Sequence, residues 1–154
     1  MRSAPKEISP REALQRLETL CVKAERCRRE LELKLRQWKI GASDAEQILD
    51  SLESRRFVDD RRFARAFVRD RFAFSRWGRV KIAAELRRRG IPQDVIAENL
   101  AEIDPDEYEA TARRLLASRL RVGIDPRDPA TRAKLYRFLL ARGFESGVIA
   151  KILR

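Results

Sequence analysis

The sequence predicts an all-α protein made of three tandem three-helix repeats, helix-turn-helix-like units set in an elongated array. One apolar ladder recurs three times at fixed spacing, helix start and stop signals fall between its rungs, and no Val/Ile/Thr-rich alternating run of strand length is present. The copies are Leu31, Leu35, Ile40, Ala45, Leu49, then Ile82, Leu86, Ile91, Ile96, Leu100, then Leu135, Leu139, Phe144, Ile149, Leu153. Their internal steps are 4, 5, 5 and 4 residues, and the copies are offset by 51 and 53. Steps of four keep side chains on one helix face, while a step of five straddles a tight turn, so each copy reads as helix, turn, helix.

Each pair follows a leading amphipathic segment. Residues 1–8 read as a flexible N-terminal segment and 9–56 as the first repeat. Its leading helix, about 10–22, opens at Ser9-Pro10-Arg11-Glu12 with an N-cap, a proline at the first helical position and a capping-box glutamate. Leu14, Leu17 and Cys21 form its buried stripe, and Ser43-Asp44-Ala45-Glu46 opens the repeat's third helix with the same capping arrangement. The second repeat, 57–103, starts a helix of about 59–76 at Asp59, with Phe63, Phe67 and Phe74 facing the core and Asp59 and Asp60 as caps. Asp70 projects between Phe67 and Phe74, so a buried carboxylate paired to Arg71 or Lys81 is expected. The third repeat, 104–154, opens at Asp104-Pro105-Asp106-Glu107, buries Tyr108, Ala112 and Leu115, and restarts at Asp128-Pro129 after a loop-like stretch. Gly90 and Gly143 fall where helices should stop in a left-handed residue. A repeat of about 50 residues is small for independent stability, so neighbours should pack or share a connecting helix.

Composition excludes several chemistries. The chain has 154 residues, a formal charge of +11, two cysteines and no histidine. Histidine relays, His-ligated zinc and an imidazole switch are therefore impossible. No pair of carboxylates can be named for acid–base or metal chemistry, so no catalytic residue, metal, cofactor or small-molecule substrate is expected. With no apolar run of about 20 residues and no signal-peptide core at the start, a soluble, cytoplasmic monomer is expected. Cys21 and Cys27, six apart on one predicted helix, point to different sides and read as small hydrophobes rather than a redox pair.

The charge is concentrated. Residues 55–89 hold 13 basic and 4 acidic side chains, whereas 1–54 and 90–154 each hold 11 and 10, so the middle stretch carries +9 of the +11. At about 100° per residue, Arg62, Arg65, Arg69 and Arg76 project within about 60° of one another, roughly opposite Phe63, Phe67 and Phe74. Arg79, Lys81, Arg87, Arg88 and Arg89 follow against a single Glu85. Self-repulsion of this density calls for an anionic partner; arginine-rich composition with a merely solvated face is the bland alternative. Arg62, Arg65, Arg69, Arg76, Arg79, Lys81, Arg87 and Arg88 are the candidate contacts, with single- or double-stranded DNA or an acidic protein groove as the partner. A groove-reading helix-turn-helix is disfavoured. The helix after Gly90 carries Asp94, Glu98 and Glu102 with no basic residue, and its counterpart after Gly41 carries Asp44, Glu46, Asp50 and Glu53.

At the middle repeat the residues become recognisable. Phe57-Val58-Asp59-Asp60-Arg61-Arg62-Phe63-Ala64-Arg65-Ala66-Phe67-Val68, then Trp77-Gly78-Arg79-Val80-Lys81-Ile82 and Leu86-Arg87-Arg88-Arg89-Gly90-Ile91, closely resembles the RecX family of bacterial recombination regulators. Cys27-Arg28-Arg29-Glu30-Leu31 and Arg142-Gly143-Phe144 extend the similarity to roughly 12–154. One departure is Lys39, at the turn position that Gly90 and Gly143 fill, with Gly41 two residues later. The resemblance implies a modular helical protein that binds the RecA filament on DNA and suppresses strand exchange, ATP hydrolysis and coprotease activity, thereby regulating DNA repair and the SOS response. It implies no catalysis by this chain. Within the family motif, Phe57, Asp59, Phe63, Phe67, Trp77, Gly78, Ile82 and Gly90 read as structural. The second reading is a non-specific DNA-binding repeat protein without a dedicated protein partner.

Overall fold

The computed structural model describes residues 7–154, and every regular element among them is a helix. The helices are α1 Pro10–Lys23, α2 Arg28–Gln37, α3 Ala42–Ser54, α4 Asp60–Ala73, α5 Arg79–Arg88, α6 Gln93–Leu100, α7 Pro105–Arg119, α8 Pro129–Ala141 and α9 Ser146–Ile152. Most of the segment expected to be flexible, residues 1–6, lies outside the described residues. The chain divides into two compact units within α4, one ending at Ala66 and the other running from Phe67 to Arg154.

In the first unit α1 and α2 pack on α3 around Ala13, Leu17, Leu31, Leu35, Ile48, Leu49, Leu52 and Val58. In the second, α5 packs on α6, and α7, α8 and α9 contact one another. Ile82, Leu86, Ile96, Tyr108, Ala112, Leu139, Phe144 and Ile149 are buried there. Fully burying each Val, Leu, Ile or Phe side chain among them contributes roughly 1.5–3 kcal/mol.

The five-residue step of the ladder has a single physical cause. At the first of the two five-residue steps, the third rung donates its backbone N–H to the carbonyl of the second: Ile40 to Leu35 at 3.0 Å, Ile91 to Leu86 at 3.0 Å, and Phe144 to Leu139 at 3.2 Å. The residue before each donor is left-handed, with φ of 57° at Lys39, 76° at Gly90 and 95° at Gly143. Lys39 therefore adopts the conformation of the two glycines, at a cost of about 1–2 kcal/mol that they do not incur.

Ser9, Asp104 and Asp128 cap α1, α7 and α8 through their side chains, each one residue before the helix's first-position proline. Other expectations are corrected. Gly41, not Ser43, is the N-cap of α3, because Lys39 ends the turn early enough for Ala42 to be helical. Asp59 caps α4 by accepting from the N–H groups of Arg61 and Arg62, but Asp60 does not cap its own helix; its Oδ1 accepts the N–H of Arg28, the first residue of α2, at 2.9 Å. Cys21 and Cys27 lie on different elements, since α1 ends at Lys23 and Cys27 is the N-cap of α2. Both are unbridged; Cys27 is buried and Cys21 only half-buried, its thiol pushed up by burial.

The largest correction concerns the end of α4. The helix stops at Ala73, three residues before Arg76, which turns left-handed with φ of 55°, and the N–H of Trp77 reaches back to Arg71 O at 3.0 Å. That turn brings Trp77 edge-on to Phe67 at 6.2 Å, where extended periodicity would have put Phe74. Phe74 is instead 82% exposed. Asp70, one turn earlier, is exposed too and lies 3.6 Å from Arg69, so it is neither buried nor paired with Arg71 or Lys81.

Candidate functional site: the cationic helices

The candidate arginines separate into two groups by what each touches. Arg62 is held inside the first unit: Nε donates to Glu25 at 2.7 Å, and Nη2 donates to the carbonyls of Arg56 and Phe57. Arg79 is held inside the second, where Nη1 donates to Glu145 at 2.8 Å and the guanidinium lies 3.8 Å from the Tyr108 ring centre. Lys81 places its ammonium 4.5 Å from the centre of the Trp77 ring, with Arg71 5.1 Å from the same ring. These side chains lock the fold first.

The second group faces water. On α4, Arg65 is exposed and makes no hydrogen bond or ion pair with any described residue, and Arg69 has only its neighbour Asp70. Arg76 is exposed in the turn that follows and no described acid pairs with it. On α5, Arg87 donates to Gln93 at 3.0 Å, while Arg88, 80% exposed, shares Glu85 with Arg89. Exposed ion pairs of this kind contribute roughly 0–1 kcal/mol, so they restrain the cations weakly. A guanidinium keeps its charge at any physiological pH and donates in a fixed fork that fits carboxylate or phosphate, so these helices present donors for an anionic surface.

Sequence reasoning missed that one arginine recurs in each repeat as a brace, although it named Arg79 as a contact. Arg28, Arg79 and Arg132 each lie three residues before the first rung of their ladder. Arg28 donates to Glu46, Asp50 and Glu53 at 3.0, 3.1 and 2.5 Å. Arg79 takes Glu145, and Arg132 donates to the Leu153 carbonyl. Extending the ladder alignment three positions would have found all three. The α5 N-terminus, whose cap Gly78 has no side chain, is satisfied from afar: Gly78 N–H by Arg142 O at 2.8 Å, Arg79 N–H by the Tyr108 hydroxyl at 3.0 Å, and Val80 N–H by Gly143 O at 2.9 Å. Tyr108 in turn donates to Glu145, and burial followed by that bond pushes its hydroxyl well above the ordinary tyrosine range. Phe57 and Trp77 are half-buried, whereas Phe63, Phe67, Gly78 and Ile82 are buried. No cluster of metal-ligating side chains occurs among the described residues, and no helix among them is long and apolar enough to cross a membrane.

Two family descriptions match this chain: the RecX second three-helix domain over residues 59–100 and the RecX third three-helix domain over 106–153. A regulatory protein RecX of Streptomyces coelicolor is 31% identical over 157 aligned positions, covering 98% of this chain and 82% of that protein. The regulatory protein RecX of Thermus thermophilus is 36% identical over 116, covering 75% and 72%. That of Geobacillus kaustophilus is 37% identical over 135, covering 84% of this chain but 49% of its own length, so this chain spans about half of that relative. In fold, the chain is similar to a crystal structure of a regulatory protein RecX (TM-score 0.80, 24% identity, 93% of this chain and 70% of that one). It is similar also to RecX from Lactobacillus salivarius (TM-score 0.77, 20% identity, 94% of each). With a matching relative aligned over more than two thirds of both chains and family domains recognised over the middle and last repeats, the chain belongs to the RecX family of regulatory proteins.

Proposed function

We propose that this chain regulates the RecA recombinase: it binds the RecA filament on DNA and inhibits strand exchange, ATP hydrolysis and coprotease activity, modulating repair and recombination. It acts as a cytoplasmic monomer with no cofactor, its repeats bounded at 9–56, 57–103 and 104–154, and it needs no catalytic group of its own. The observation that carries the reading is the state of the arginines on α4: in a family of regulators, Arg65 has no acid of its own and Arg69 only a long contact to Asp70. Arg76, Arg87 and Arg88 add exposed donors on the following turn and helix. Arg62, Arg79 and Lys81 contribute by holding those helices in place. Repeated units spaced along one chain suit a repetitive target, because each added contact is intramolecular once the first has formed. Bound protein then inhibits by blocking DNA access or by favouring a less active filament state.

The test compares binding to a RecA-coated strand with binding to the same bare strand at matched salt. Wild type is expected to prefer the coated strand. A variant with Arg65→Glu, Arg69→Glu and Arg76→Glu is expected to lose that binding while keeping its helicity and melting temperature, since none of the three side chains supports the core. Equal affinity for bare and coated strands would instead favour a non-specific DNA-binding protein.

A further inference from the structure

Phe74 is the aromatic side chain of the basic segment that packing leaves unused. Phe67 and Trp77 meet edge to face, Phe72 stacks on Tyr108 at 5.9 Å, and Trp77 has cations at both 4.5 and 5.1 Å. Phe74 makes no ring or cation contact with any described residue and is 82% exposed. A single exposed apolar side chain is ordinary by itself; Phe74 is set apart by the cations of the turn in which it stands.

The surroundings of Phe74 say which occupant it suits. Arg71 Nη1 donates to Ser75 Oγ at 3.5 Å, and Arg142 Nη2 donates to the Ser75 carbonyl and, at 3.4 Å, to that of Arg76. Two guanidiniums are thus held on the residue after Phe74, and Arg76 lies one further on. Arg142 thereby satisfies carbonyls of the turn that follows α4, which would otherwise face an incoming anion. The nearby acid, Asp70, is shared with Arg69. An apolar protein pocket would strand these cations away from water, whereas a polyanion with accessible aromatic faces satisfies both features. Unpaired nucleobases have such faces; a duplex hides them in its own stack.

We propose that Phe74 is a stacking platform for an unpaired base of single-stranded DNA, with Arg76 and Arg69 taking the flanking phosphates. This deepens the reading above by naming a nucleic-acid contact for the basic segment, and it rests on that reading only in assuming that the segment meets DNA. The experiment uses no recombinase, so the two fail separately. Fluorescence anisotropy of a labelled oligo-dT of about 20 nucleotides, and of a duplex of the same length, is measured over a series of salt concentrations for wild type, Phe74→Ala and Phe74→Trp. Phe74→Ala is expected to weaken single-strand binding about tenfold, leave duplex binding unchanged and keep the slope of log affinity against log salt, because a base contact and no phosphate contact is lost. Phe74→Trp is expected to restore the affinity. Single-strand binding by Phe74→Ala equal to wild type would overturn the proposal, as would an equal loss on single strand and duplex.

Discussion

At the scale of single residues, Gly78 and Gly143 show how tightly the second unit is built. A Cβ on Gly78 would lie 2.3 Å from the Gly143 carbonyl oxygen, and one on Gly143 would lie 2.3 Å from Lys81 Cβ. Gly78 has an ordinary φ of −77°, so space alone excludes a side chain there, whereas Gly143 needs both the space and its left-handed backbone. Gly78→Ala must push one backbone off another, which ranks with overpacking and is expected to cost about 2 kcal/mol or more. Gly147 lies inside α9, where an added methyl group would meet nothing within 4 Å, and it is expected to respond oppositely, Gly147→Ala stabilising by up to about 1 kcal/mol. Urea unfolding of both variants checks the pair of signs; a neutral Gly78→Ala would show that α5 and the α8–α9 turn can separate without loss.

At the scale of elements, the N-termini of α2 and α5 have no side-chain cap of their own and are completed by other elements, α2 by Asp60 and α5 by Tyr108 and the Gly143 carbonyl. Asp60 gives this a pH signature. Burial raises its carboxyl above the ordinary value of 3.8, against the lowering effect of the Arg28 N–H bond. The native state therefore takes up this proton before the unfolded chain does, and the group's contribution to stability rises as the pH falls from neutral towards 3.8. Glu109 has the opposite sign: its bond from Lys151 lowers its carboxyl, and that stabilisation is lost on acidification through the acid range. Asp60→Asn keeps an oxygen for Arg28 but cannot titrate, so the stability of wild type relative to this variant should increase between pH 7 and pH 4. Denaturant unfolding at the two pH values measures it, and a constant difference would contradict the assignment.

The same elements show what could be read from sequence. The ladder and the caps at Ser9, Asp59, Asp104 and Asp128 were legible because each is closed by bonds reaching five residues or fewer. The bond from Arg28 to Asp60 spans 32 residues and that from Tyr108 to Glu145 spans 37, and no local pattern announces either. The concentration of charge was legible for the same reason, but the division of the arginines was not. Arg62 and Arg79 find their acids 37 and 66 residues away, at Glu25 and Glu145, and only the folded chain shows that they are engaged while Arg65 is not. Phe74 was misplaced because a wheel assumes that the helix continues, and α4 ends at Ala73.

At the scale of the whole molecule, a folded set of helical repeats presents weakly restrained arginines from its basic segment, and regulation of a recombinase filament is the role that this arrangement and the family together support. The most direct test is ATP hydrolysis by RecA on single-stranded DNA, titrated with this protein and, beside it, with the Arg65→Glu, Arg69→Glu, Arg76→Glu variant. Inhibition by wild type at protein levels well below those of RecA, and none by the folded variant, is the expected result. No inhibition, or inhibition only once the protein is abundant enough to coat the free DNA, would contradict the account and leave the basic helices serving nucleic acid directly.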